Sequence, residues 1–163
     1  MSTTKKSENL HPAAREILTL CGHLNRQWRR AVDRRLQPMG LTEATWLPLL
    51  FISRAKAPLR QKDLAALLGL DSSSVVRILD GLQTAGYIQR LEGTDRREKL
   101  IHLTDLGKNT VSTVEQVVHA GRVRLFRDMD SAQMIAASSV LQQLVGTVES
   151  LGSDLWGTTD DHD

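Results

Sequence analysis

The 163-residue sequence predicts a mainly α-helical fold carrying one small β-hairpin. Three observations predict it. Apolar residues recur every three to four positions through the N-terminal and the two C-terminal segments. Residues 60–86 read as helix, tight turn, helix. Residues 87–104 then alternate apolar and polar around a charged loop, EGTDRREK at 92–99. A hydrophobic content of 40% with 25% charged residues fits an ordinary single domain with helical arms.

The first helix spans residues 12–37. Its apolar positions are Ala14, Ile17, Leu18, Cys21, Leu24, Trp28, Ala31, Val32 and Leu36, and its other face carries Arg26, Arg29, Arg30, Arg34 and Arg35. Pro12 suits the first turn, and Pro38 with Gly40 ends the run. Thr42 is expected to cap a shorter helix over 43–53, bent by the internal Pro48. Residues 55–59 read as a connection.

In the stretch QKDLAALLGLDSSSVVRILDGLQTAGYI, residues 61–88, Ala65 is small enough for a steep helix crossing. Gly69 accepts the left-handed backbone the turn requires. Leu64, Leu68 and Leu70 are expected to point inward, with Val75, Ile78, Leu79 and Leu82 forming the buried stripe of the second helix. Asp71 or Ser72 caps that helix and Gly86 ends it. The stripe leaves Ser73, Ser74, Val76, Arg77 and Asp80 outside. Small polar groups near a helix start plus one long cation suit the DNA major groove. Arg77 can bond guanine O6 and N7, and Val76 can meet a thymine methyl.

A hairpin directly behind a helix-turn-helix makes a winged helix. Its tip places Asp95, Arg96, Arg97 and Lys99 beside the recognition helix, where arginine favours a narrow minor groove. Asp95 can orient Arg97 through a charge-assisted bond. Thr104 caps the next helix, whose Val111, Val114, Val118, Gly121 and Leu125 are spaced 3, 4, 3, 4. Asp130 with Gln133 opens the last helix, striped by Met134, Ala137, Leu141, Leu144, Val148 and Leu151. A repeat near 3.5 residues favours helix-on-helix packing. The ends, 1–11 and 153–163, are expected to be flexible tails.

Charge is unevenly placed. Residues 1–127 hold all 21 Lys and Arg against 12 Asp and Glu, a balance of +9, whereas residues 128–163 hold 7 acids and no Lys or Arg. A basic body points to a polyanionic partner. The chain has no Gly-rich phosphate loop, and its five histidines lack ligand spacing, so neither an enzyme nor a metal or cofactor is expected. There is no long apolar run and no signal-like leader, and Cys21 is the only cysteine. A reducing cytoplasm is the expected setting, with the protein on the bacterial nucleoid when bound to DNA. A helical interaction scaffold without DNA binding would explain the heptad stripes but not the basic hairpin.

The run DRREKLIHLT (95–104) resembles the wing signature of the MarR family of winged-helix transcription regulators. WRRAVDRRLQPMGLTEATW (28–46) and VVRILD (75–80) are similar to its SlyA branch. The start and outer face of the second helix make Ser72, Ser73, Ser74, Val76 and Arg77 the expected DNA contacts, and the resemblance implies that Arg77 reads the major groove, with Arg96 and Arg97 in or beside the minor groove. It also implies a homodimer joined through helices within 12–37 and 105–152, flanking a DNA-binding domain at 41–104. Such a protein is expected to act as a ligand-responsive repressor on a pseudo-palindromic operator, or, in the SlyA manner, as an activator that displaces a silencer. Family effectors are small aromatic carboxylates or phenols. His23, Arg26, Trp28 and Trp46 are candidates to line a site for one, although both tryptophans also suit plain core packing. In a peroxide-sensing branch the reactive cysteine would fall at Leu18 and its supporting tyrosines at Val32 and Glu43. Cys21 on an apolar stripe therefore reads as packing.

Overall fold

The computed structural model describes residues 11–93, 99–152 and 154, and the chain divides into two units after Gly121. In the first unit, α1 (Pro12–Leu36) starts with Pro12 in the first turn, and His11 Nδ1 accepts the Ala13 N–H at 3.2 Å. A 3-10 turn (Gln37–Met39) leads to α2 (Glu43–Arg54), which continues through the buried Pro48. Thr42 occupies the cap position of α2, but not as expected. Its carbonyl accepts from Thr45 and Trp46, while its hydroxyl meets the Thr45 hydroxyl at 3.4 Å instead of a backbone N–H.

Leu59–Arg60 forms a short strand, β1, where the sequence reads only a connection. Then come α3 (Gln61–Leu68) and α4 (Ser72–Thr84), joined by Gly69 at φ 65°. That backbone conformation costs a residue with a Cβ and costs glycine nothing. The hairpin follows as β2 (Ile88–Glu92) and β3 (Lys99–Leu103). The sheet is antiparallel in the order β1-β3-β2, with Arg60 opposite Leu100 and Arg90 opposite Ile101. β1 is too short to carry an alternating pattern, which is why the sequence does not reveal it.

Two apolar clusters hold this unit. One gathers Leu49, Leu64, Val75, Leu79, Leu82, Ile88, Ile101 and Val111, so α2 to α4, the hairpin and α5 (Asp105–Leu125) share a core. The other joins Val32, Leu36, Trp46, Leu50, Val114 and Val118 of α1, α2 and α5. The predicted stripe of α4 is buried at Val75, Leu79 and Leu82 and half-buried at Ile78. Leu70 departs from expectation: it is 42% exposed, because the chain has already left α3 and turned outward toward the start of α4. The hairpin is tied to α5 by Thr104. Its hydroxyl donates to the Gly86 carbonyl at 2.6 Å and accepts the Gly107 N–H at 3.1 Å.

The second unit consists chiefly of α6 (Ser131–Leu151), opened by Asp130, which accepts the Gln133 N–H at 3.1 Å. No residue of α6 is buried within the single chain, and Leu141, Leu144, Val148 and Leu151 are all exposed.

Candidate nucleic-acid interface

The N-terminus of α4 is built on Asp71. Its carboxylate accepts the Ser74 N–H at 2.9 Å and the hydroxyls of Ser73 and Ser74 at 2.5 and 2.7 Å. These donors, the Ser73 hydroxyl foremost, hold the Asp71 carboxyl well below the usual carboxylate range, since bonds to the charged form favour it. Each serine hydroxyl has a single proton, so donation to Asp71 leaves only lone pairs facing outward. Ser72, Ser73, Val76 and Arg77 are exposed, and Ser74 is half-buried beneath them. Among the described residues Arg77 makes no ion pair or hydrogen bond. A free guanidinium thus stands one turn after an acceptor-bearing helix start.

The next turn of α4 faces the hairpin. Arg90 of β2 donates through Nη2 to Asp80 Oδ1 and through Nε to Gln83 Oε1, the latter at 2.7 Å. Nothing in the sequence singles out Arg90. An arginine in a short strand beside many others gives no signal until the strand is seen to pack on α4. On the other strand Lys99 is exposed at the start of β3, opposite Glu92. Asp95, Arg96 and Arg97 lie outside the described residues.

Around the start of α3, Arg60 bonds Asp63 through its backbone N–H at 3.1 Å and its side chain at 3.0 Å. The Arg60 guanidinium foremost lowers the Asp63 pKa.

The four residues suggested for an effector site are spread along α1 and α2. Trp46 is 2% exposed and donates its indole N–H to Asp33 at 3.3 Å. Trp28 is half-buried against Gly121, where a Cβ would come within 2.9 Å of its ring. His23 and Arg26 are exposed in the middle of α1. An open cavity of about 330 Å³ lies elsewhere, between the first turn of α2 and α4, lined by Ala44, Thr45, Arg77, Ile78, Leu82 and Tyr87 among others. None of the four lines it. Cys21 is half-buried, as its place on the apolar stripe implies.

The sequence model of the MarR family matches residues 39–98, from the end of the 3-10 turn to the residue before β3. A solved structure described as transcriptional regulator PA3341 is 31% identical over 82% of this chain and 98% of its own, with a TM-score of 0.77. The chain belongs to the MarR family. CouR from Rhodococcus jostii RHA1, solved with p-coumaroyl-CoA, is 26% identical over 78% of this chain and 90% of its own, with a TM-score of 0.66. MepR of S. aureus, solved with DNA, shares the fold at 19% identity, covering 80% of this chain and 96% of its own, with a TM-score of 0.69. As a MarR-family member the protein is a DNA-binding transcription regulator with a winged helix, and not an enzyme. No helix among the described residues is long and apolar enough to cross a membrane.

Proposed function

We propose that the protein is a ligand-responsive repressor that binds a pseudo-palindromic operator as a homodimer, with α4 in the major groove and the hairpin tip at the minor groove. The observation that carries this is the Arg77 guanidinium on the outer face of α4, without a partner among the described residues and beside a hairpin fastened to the same helix. Arg77 reads guanine, while Ser73, presenting lone pairs, accepts from an adenine N6 or cytosine N4 amino group. Ser74 holds the helix start through Asp71, Ser72 is exposed beside Ser73 to meet the DNA, and Val76, 36% exposed, meets a thymine methyl. Arg96, Arg97 and Lys99 neutralise phosphates or enter the minor groove, with Asp95 orienting Arg97.

The second copy covers the apolar faces left open on α6 and on the first half of α1, where Leu18 is 73% exposed. The two α4 helices then stand roughly 34 Å apart, one DNA turn. Repression follows from occupying a promoter. The motif VVRILD favours a SlyA-like second reading, activation by displacing a silencing protein. The proposed effector is a small aromatic carboxylate or phenol, held near His23, Arg26, Trp28 and Trp46.

A gel-shift salt series on the duplex upstream of the protein's own gene tests this. Arg77→Ala should cost about 1–3 kcal/mol on the preferred sequence and relax the preference. Arg97→Ala should weaken all sequences alike and lower the salt slope by about 1. An aromatic acid added to the same lanes should release the DNA. If both variants bind like the wild type, the docking is wrong.

A further inference from the structure

Asp80 is the one acid on the outer face of α4 between its cap and its end, and it lies three residues after Arg77. Residues at that spacing are neighbours on a helix surface, close enough for a carboxylate and a guanidinium to pair. They do not pair here. Arg90 holds Asp80, and its Nε also bonds Gln83, three residues further along the same face.

Arg90 lies on the hairpin just beyond its last buried anchor. Ile88 is buried in the core, and Arg90, two residues on, shares its side of β2 with its side chain only 23% exposed. β3 backs this position through Ile101, itself buried. The guanidinium therefore projects from a fixed strand, and two acceptors on α4 fix its plane. Asp80, 55% exposed on its helix, would without Arg90 have one nearby cation on its own helix, Arg77.

We propose that Arg90 is a positioning residue for DNA recognition: by holding Asp80 and Gln83 it keeps the carboxylate off Arg77 and leaves that guanidinium free to read a base. This rests on Arg77 being the base-reading residue. Removal of Arg90 frees Asp80 to swing along the helix and pair with Arg77. Specificity then falls although neither Arg77 nor the buried core has changed. Removal of Asp80 as well takes away the competing partner.

The experiment measures affinity for a preferred duplex, and for the same duplex with the Arg77-dependent base pair replaced, in full-length protein. The wild type should discriminate by about tenfold or more, the worth of one bidentate arginine–guanine contact. Arg90→Ala should lower that ratio about twofold, the worth of an exposed carboxylate–guanidinium pair at this spacing. Arg90→Ala combined with Asp80→Ala should return it to the wild-type value, because no acid then competes for the bidentate donor. Thermal melting of the two variants supplies the contrast: a merely structural role would make recognition follow melting temperature, whereas the double variant should recover recognition without recovering stability.

Full discrimination by Arg90→Ala overturns the proposal, and so does a double variant no better than the single. A wild type whose discrimination does not depend on Arg77 overturns the reading of α4 itself, and this proposal with it. Arg77-dependent discrimination that ignores Arg90 sinks only the latter.

Discussion

At the residue scale, single positions do work that their residue type alone does not announce. Gly107 is the sharpest case. A Cβ there would sit 2.1 Å from the Tyr87 carbonyl oxygen, so α5 approaches the end of the α4 turn at backbone distance. Gly107→Ala should lower the melting temperature, by about 1–3 kcal/mol of stability or more, because a backbone atom cannot rotate away as a side chain can. A thermal melt within error of the wild type would show that α5 can shift without cost. Asp71 is a second case. The sequence identifies it as a candidate cap, but the cap also spends the protons of Ser73 and Ser74, and so sets what those serines offer to a partner. Residue spacing cannot show which way a hydroxyl points.

At the element scale, the helix-turn-helix and hairpin were legible because each carries a local signal. Gly69, the Val75 to Leu82 stripe and the alternating strands all stand as read. What was not legible is the joinery. Thr104 caps α5, as its position foretells, yet the same hydroxyl also donates to the Gly86 carbonyl eighteen residues earlier. Thr104→Val keeps the shape but leaves that carbonyl and the Gly107 N–H without this partner. It should destabilise by about 1–3 kcal/mol, as half-buried backbone groups lose a hydrogen bond. Equilibrium urea unfolding measures it, and a change within experimental error would mean that water replaces the hydroxyl. β1 escaped notice for the opposite reason: two residues hold no periodicity, and only their pairing with β3 makes them a strand.

At the scale of the whole molecule, apolar periodicity reports burial without saying by what. The stripe of α1 is buried within the chain at Val32 and Leu36 but open at Leu18 and Leu24, and the stripe of α6 is half-buried at Met134 and open from Ala137 to Leu151. Exposed leucines and valines in a regular row are costly to leave in water, at roughly 25 cal/mol for each Å² of apolar surface. A second copy of the chain is the proposed cover. Leu144→Glu should therefore yield a monomer by sedimentation equilibrium and weaken operator binding. A variant that stays dimeric would place the interface elsewhere.

The helices, the turn, the hairpin and the outward face of α4 can all be read from the amino-acid order, because they follow from spacing, capping and backbone preference within a few residues. Packing alone settles that Arg90 occupies Asp80 while Arg77 has no partner among the described residues. Which of many arginines meets which acid depends on strand and helix packing, a distance set by the core and not by the chain between them. The row EGTDRREK marks the wing; the side chain that fastens its root to the recognition helix lies outside that row, in a strand whose sequence looks ordinary.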